Sequence, residues 1–229
     1  MFCSQAQRVE SGLWDSINRR RTGVAGDPAV LRCGGRGATP LNLYGDSDVE
    51  AVTSRGLTVL AGSWTGPTHW AKPTALTAFG DGKTYIQSDP WSAAAGPVGS
   101  LAESMGTLLA ILYALANPTH ISAMALALPL VDFLAFYSEN RGGFASEIST
   151  ARGGAPDSTV DPMSRAADIA ALDIPIKLWA SSDDTLTPLD EAQAFATAVG
   201  AECVDMGAVG HATYDAFAAE AADFLAAHA

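Results

Sequence analysis

Three short strings of this chain carry side chains that could do chemistry together. In Val98-Gly-Ser-Leu-Ala102-Glu103-Ser104-Met105-Gly106, a serine stands between small residues two places before and two places after it. On a tight strand-to-helix turn such a serine projects its hydroxyl above a sheet, and Ala102 and Gly106 let the backbone pass without a clash. The second string, Lys177-Leu-Trp-Ala-Ser-Ser-Asp183-Asp184-Thr-Leu-Thr-Pro188, sets two acids after an apolar run and before a proline that can start a helix. The third is Val209-Gly210-His211. A serine hydroxyl is a poor nucleophile until a base takes its proton, a neutral imidazole supplies that base near pH 7, and a carboxylate fixes the imidazole tautomer. These residues therefore point to nucleophilic catalysis with Ser104 attacking, His211 as base and Asp183 or Asp184 as the orienting acid. Activity is expected to rise with pH as the imidazole loses its proton. The tetrahedral intermediate needs backbone donors. One is expected from Met105, at the start of the helix after the nucleophile.

The competing explanations are simpler. Asp183 and Asp184 could be acids favoured by the dipole of a helix start, and His211 an ordinary loop residue. Asp132, at the end of another apolar run, is a third acid to consider, whereas His69, His120 and His228 lack a strand-end context. The glycine-rich stretch Val30-Leu-Arg-Cys33-Gly34-Gly35-Arg36-Gly37-Ala38 is either a flexible turn or the place of a second backbone donor.

To bring these strings together the chain needs a sheet. Short apolar runs alternate with helical patterns from about Pro28 onward, the signature of strand-helix-strand units and a parallel sheet. The expected strands are Ala29–Cys33, Leu57–Ser63, Val98–Glu103, Ile121–Val131, Ile174–Ser181 and Glu202–Met206. Helices are expected over Ser47–Ser54, capped by Asp46 and stopped at Gly56, over Met105–Asn117, from Pro188 to Gly200, and along Tyr214, Phe217, Ala221, Phe224 and Leu225. Leu13–Ile17 could form an edge strand leading into a turn at Gly23–Asp27. The segment Asp132–Leu172, with Arg141-Gly142-Gly143 and Arg152-Gly153-Gly154, breaks the rhythm and reads as an excursion above the sheet. Trp64, Trp70, Phe133 and Phe136 could line an apolar pocket or pack in the core.

Composition narrows the function classes. A chain of 229 residues with 48% apolar side chains can bury one sizeable core. The formal net charge of −12 argues against nucleic-acid binding, which requires clustered Lys and Arg against phosphates. The only basic run, Arg19-Arg20-Arg21, reads as a solvated turn. Cys3, Cys33 and Cys203 have neither disulfide-framework nor zinc-site spacing, so no metal is expected. Met1–Glu10 lacks the basic start and apolar stretch of a signal peptide, and no run is long enough to span a membrane. A cytoplasmic location is expected, or a virion-associated one if the chain is phage-encoded.

Serine, acid and histidine at three strand ends, in that order, resemble the α/β-hydrolase fold esterases and lipases from about Pro28 onward. Through Ala-Glu-Ser-Met-Gly and Met206-Gly-Ala-Val-Gly-His211-Ala the chain also resembles small-capped hydrolases of actinobacteria and their phages. The resemblance implies a single domain over 1–229, with a mostly parallel central sheet, helices on both faces and a cap-like insertion at about 132–172. It selects Asp184 as the acid, since the family's acid is followed four residues later by Pro, here Pro188. It places Arg36 as the second backbone donor, by the family's His-Gly-x-Gly loop. It implies carboxylic ester hydrolysis through an acyl-enzyme without a cofactor, on a small-molecule or lipid-like ester. An amidase or peptidase on the same residues, or a non-catalytic module such as a phage tail component, are the alternatives. Three departures stand out: Ala102 for Gly, Gly34 for the loop His, and Thr107 for a frequent second Gly.

Overall fold

The central strands are short and mostly apolar because both faces of the sheet are covered. A computed structural model describes residues 5–7, 17–20, 27–39, 43, 46–88, 94–213 and 215–229. Its sheet has eight strands: β1 (Gln5–Gln7), β2 (Ile17–Arg20), β3 (Ala29–Cys33), β4 (Thr58–Gly62), β5 (Val98–Glu103), β6 (Ile121–Ala127), β7 (Ile176–Ala180) and β8 (Glu202–Asp205), in the order β1-β2-β4-β3-β5-β6-β7-β8. The last six in that order, β4 to β8, run parallel, while β1 and β2 pair antiparallel at the β4 side. This is a mostly parallel α/β-hydrolase-type sheet with helices on both faces.

The period-two alternation of the strands divides the core into two layers. Leu31, Met124, Leu126 and Leu178 pack beneath α2 (Pro73–Ser88), α3 (Met105–Ala116) and α7 (Leu189–Val199), whereas Val30, Ala123, Ala125 and Trp179 pack against α1 (Ser47–Ser54) and α8 (Asp215–Ala227). From Met105 to Ala114 every residue of α3 is buried, as its apolar circumference requires. The chain leaves β3 to form β4 on one side, then returns across β3 to form β5 on the other. That reversal opens a crevice beyond the carboxyl ends of β3 and β5, where ligands bind in open parallel sheets.

Between β6 and β7 the chain forms α4 (Phe133–Ser138), a 3₁₀ turn at Arg141–Gly143, α5 (Ala145–Arg152) and α6 (Ala166–Ala170). Asp161, buried, ties its two ends together, accepting from the Phe133 N–H at 2.7 Å and the Ser164 N–H at 2.8 Å. Phe133, Phe136, Ile148 and Ile169 join the same buried layer as α3.

Several expectations need correction. β6 ends at Ala127 rather than Val131, because Leu128 takes φ 47° and Pro129 has no N–H to continue the ladder. Helix α2 is not among the expected helices, and it carries two interior glycines, Gly80 and Gly82, that weaken a helical pattern. Gly82 is needed there because a Cβ would come within 2.5 Å of the Trp64 ring. Asp46 precedes α1 but its side chain makes no cap hydrogen bond. Arg19 and Arg20 lie in β2 opposite Leu60 and Val59 rather than in a turn. Of the N-terminal expectations, 13–16 and 23–26 lie outside the described residues, as do Cys3, Arg21 and Tyr214. Gly56 and Gly200 do end their helices, at φ 83° and 72°.

Two stability tests follow from this packing. A Cβ on Gly106 would lie 2.3 Å from the Cys33 carbonyl oxygen and 2.7 Å from that of Gly34, both backbone atoms that cannot swing away. Gly106→Ala is expected to lose about 1–3 kcal/mol, read as a lowered midpoint in urea unfolding. His69 is buried, its Nδ1 accepting from the Ala71 N–H at 3.0 Å, and burial pushes its pKa down from 6.5 to about 3. The unfolded chain therefore binds a proton at this residue that the folded chain refuses. The associated stability is complete above pH 6.5 and is lost as pH falls from there toward 3. His69→Gln should flatten the dependence of Tm on pH across that window.

Candidate active site

Ser104 joins β5 to α3 with φ 51° and ψ −122°, a conformation costly for a residue with a side chain. The surroundings impose it. The Ser104 N–H donates to the Ala127 carbonyl at 2.9 Å, and its own carbonyl accepts from the Thr107 N–H at 3.0 Å and the Thr107 hydroxyl at 2.6 Å. The Thr107 hydroxyl oxygen in turn accepts from the Leu130 N–H at 2.9 Å. Thr107, which departs from the family pattern, thus braces the turn against the chain leaving β6.

Ser104 Oγ lies 2.8 Å from His211 Nε2, and His211 Nδ1 lies 2.7 Å from Asp184 Oδ2. The three side chains come from loops after β5, β8 and β7. Asp184 also accepts from the Leu186 N–H at 2.8 Å, the Thr187 N–H at 3.2 Å and the Thr187 hydroxyl at 2.7 Å. Burial alone would raise its pKa, but the bonds from His211, Thr187 and Leu186 more than offset that and hold it below the usual carboxylate range. Its carboxylate therefore stays ionised well into acid.

The neighbouring Asp183 points elsewhere. It accepts from the Ser181 hydroxyl at 2.7 Å and the Gly210 N–H at 2.6 Å, so it clasps the loop that carries His211. Asp132 caps α4, accepting from the Ala135 N–H at 2.8 Å. Neither touches the imidazole.

Met105, as the first residue of α3, has no carbonyl four residues back within its helix, so its N–H has no partner inside the helix. Across the crevice, Gly35 lies against the serine: a Cβ there would sit 3.2 Å from Ser104 Cβ and 3.7 Å from Oγ. Arg36 follows in the turn that Ala38 closes by donating to the Gly35 carbonyl at 3.1 Å. Gly34 occupies a place with no room for the family's histidine, since even a Cβ would meet Ala38 at 2.4 Å and Leu43 at 2.9 Å.

These groups face a cavity of about 300 Å³. Ser104, His211, Arg36 and Gly35 form its floor and one side, and Trp70, Leu130, Phe136, Phe144 and Leu186 its apolar wall. Of the four aromatics singled out in the sequence, Trp70 and Phe136 line it. Trp64 is buried in the core, 4.8 Å from Phe79, and Phe133 is buried behind the wall, 6.3 Å from Trp70. Phe144 and Leu130 carried no sequence signal, because they sit in the excursion and in the segment read as strand.

Beneath the serine turn lies a buried cation. Arg32 Nη2 donates to Glu103 Oε2 at 2.8 Å, Nη1 donates to the Cys33 carbonyl at 2.8 Å, and Nε is 2.8 Å from Asp48 Oδ2 as a charge contact off the hydrogen-bond line. Asp46 is 3.8 Å from the same guanidinium. Burial alone would lower the Arg32 pKa, but Asp48, Glu103 and Asp46 outweigh it and raise it. Glu103 immediately precedes the serine, so this ion pair fixes the end of β5 from below. Among the described residues no group of His, Cys, Asp or Glu is placed to hold a metal ion, and no helix is long and apolar enough to cross a membrane.

A family model described as serine hydrolase matches residues 88–219, more than half of the chain. In structure the chain is similar to an S-formylglutathione hydrolase from Agrobacterium tumefaciens, with TM-score 0.71 and 13% identity over 99% of this chain and 94% of that one. It is similar also to an esterase from Pyrococcus furiosus, with TM-score 0.70 and 16% identity over 100% of this chain and 91% of the other. A puromycin hydrolase matches with TM-score 0.68 and 17% identity over 99% of this chain, which spans only 39% of that protein's chain. No curated protein matches the sequence.

Asp184→Asn is expected to slow labelling of Ser104 by a fluorophosphonate by about 10³- to 10⁴-fold, as a miscast imidazole tautomer does in other sites of this kind. Asp183→Asn should slow it by less than about tenfold, since it loosens only the loop behind the histidine. Labelling rates ranked the other way would transfer the acid's role to Asp183.

Proposed function

Since this chain belongs to the serine hydrolase family, we propose that it hydrolyses carboxylic esters through an acyl-enzyme, with Ser104 as nucleophile, His211 as general base and Asp184 as orienting acid. The observation that carries this reading is the unbroken hydrogen-bonded path from Ser104 Oγ through His211 to Asp184, with distances of 2.8 Å and 2.7 Å. His211 takes the hydroxyl proton as Oγ attacks the carbonyl carbon, and Asp184 stabilises the imidazolium that forms. The carbonyl oxygen becomes an oxyanion and is met by the N–H groups of Met105 and Arg36. As the intermediate collapses, the imidazolium returns its proton to the departing alkoxide, which leaves as the alcohol. A water then repeats the sequence on the acyl-serine, releasing the acid and restoring the hydroxyl.

On this reading the chain is a single hydrolase domain, and the excursion at about 132–172 is its cap. No organic cofactor or metal has a part in the chemistry. The aromatic and aliphatic wall favours small-molecule or lipid-like esters whose acyl group fits about 300 Å³. Kinship with small-capped hydrolases of actinobacteria and their phages rests on the Ala102–Gly106 and Met206–Ala212 strings alone.

The test is fluorophosphonate labelling with assays on p-nitrophenyl esters of increasing acyl length and on the matching p-nitroanilides. The native protein should be labelled at Ser104 and cleave short acyl esters fastest, with anilides slower. Ser104→Ala should lose labelling and turnover while keeping its Tm, and His211→Ala should lose turnover by about 10⁴-fold or more. Faster anilide than ester cleavage would make it an amidase. An unlabelled, inactive native protein would leave a binding module on a hydrolase scaffold.

A further inference from the structure

The carboxylate of Glu147, on helix α5 of the excursion, joins three separate parts of the chain. Arg36, in the loop after β3, donates to it twice, from Nε to Oε1 at 2.9 Å and from Nη2 to Oε2 at 2.7 Å. Trp70, in the cavity wall, donates from Nε1 to Oε1 at 2.7 Å. Five residues further on, at the end of α5, Arg152 donates from Nη1 to the carbonyls of Trp70 and Ala71, both at 2.9 Å. Those two residues are held at φ 41° and 49°. The Arg36 guanidinium also lies 4.6 Å from the centre of the Phe144 ring. The guanidinium of Arg36 is thus fastened to α5 at the edge of the cavity, while Gly35, the residue before it, lies against the serine.

We propose that Glu147 is a positioning residue for the proposed ester hydrolysis, setting the distance between the Arg36 backbone and the reacting carbonyl oxygen. The inference rests on that reading. Magnitudes separate this role from simple fastening. The Arg36 and Glu147 side chains are 41% and 30% exposed, and an exposed ion pair contributes only about 0–1 kcal/mol to folding. A backbone donor displaced from an oxyanion, by contrast, costs about 10²–10³ in kcat. Loss of Glu147 should therefore be felt far more in turnover than in stability. The bidentate geometry explains the choice of arginine, since a lysine ammonium could not fix the loop in orientation as well as in position.

The experiment measures kcat and KM on p-nitrophenyl acetate, inhibition by phenylboronic acid, and Tm, for Glu147→Ala, Glu147→Gln, Arg36→Ala and the Arg36→Ala/Glu147→Ala double variant. Active enzyme is counted by fluorophosphonate labelling. Phenylboronic acid forms a tetrahedral adduct with the serine, so its affinity reports the oxyanion donors. Glu147→Ala should lower kcat by about 10- to 100-fold with KM changed by less than about twofold, and weaken phenylboronic acid by the factor lost in kcat/KM. Glu147→Gln, which keeps one carbonyl oxygen for Trp70 or Arg36, should recover part of that loss. The double variant should be no worse than the worse single variant, because both remove one contact. Unchanged kcat per labelled site in Glu147→Ala and Arg36→Ala would overturn the proposal, and so would a rise in KM alone or a loss of Tm alone. If the native protein neither labels nor turns over ester, the hydrolase reading itself fails and takes this inference with it. If the native protein is active and the variants match it, only the role of Glu147 fails.

Discussion

The conformation of Ser104 is the constraint on which the remaining structure rests. A serine at positive φ is tolerated only where its neighbours leave no alternative. Here α3 must cross the ends of β3 and β5 at a distance that excludes any Cβ on Gly106. That closeness brings Gly35 against the serine, at the head of a helix buried from Met105 to Ala114. The strain of the turn is thus the means by which three loops converge on one oxygen atom. It is sustained by the Thr107 hydroxyl above and by Arg32 and Glu103 below.

The Arg32 cluster shows how that support is bought. A buried guanidinium is expensive unless its charge is matched, and replacement by apolar side chains often stabilises a fold. Here Asp48 from α1, Glu103 from β5 and Asp46 before α1 meet the cation. The arrangement links the helix after β3 to the residue before Ser104. An apolar substitute could fill the volume, but it could not fix the Glu103 side chain in one orientation beside the cavity.

Much of this was legible in the sequence, and the reasons differ by element. The parallel strands announced themselves as short, mostly apolar runs between helical patterns, as strands covered on both faces do, although β3 holds Arg32 and the edge strand β8 is partly exposed. Ser104, Asp184 and His211 stood out because each follows such a run and meets a turn residue. The choice of Asp184 over Asp183 came from the family's spacing, and hydrogen-bond directions distinguish the two acids in a way composition could not. What stayed hidden depended on contacts across long separations. Helix α2 was obscured by glycines whose purpose is to admit the Trp64 and Tyr113 rings. Glu147 and Phe144 lie in a segment with little periodicity, and their partners are remote in the chain. The end of β6 was misjudged because Leu128 and Pro129 are apolar yet leave the ladder.

The site's own connectivity has a kinetic consequence. Ser104 and His211 are separated by 107 positions, and Arg36 and Glu147 by 111. Contacts of such span form late, because the cost of closing long loops must be met before the contact returns anything. The turn at Ser104 is built on β3, β5 and β6, whereas His211 comes from the loop after β8. On the proposed reading, Ser104 gains its base only when the loop after β8 is in place, so a chain that stops before His211 would carry a serine with no group to take its proton.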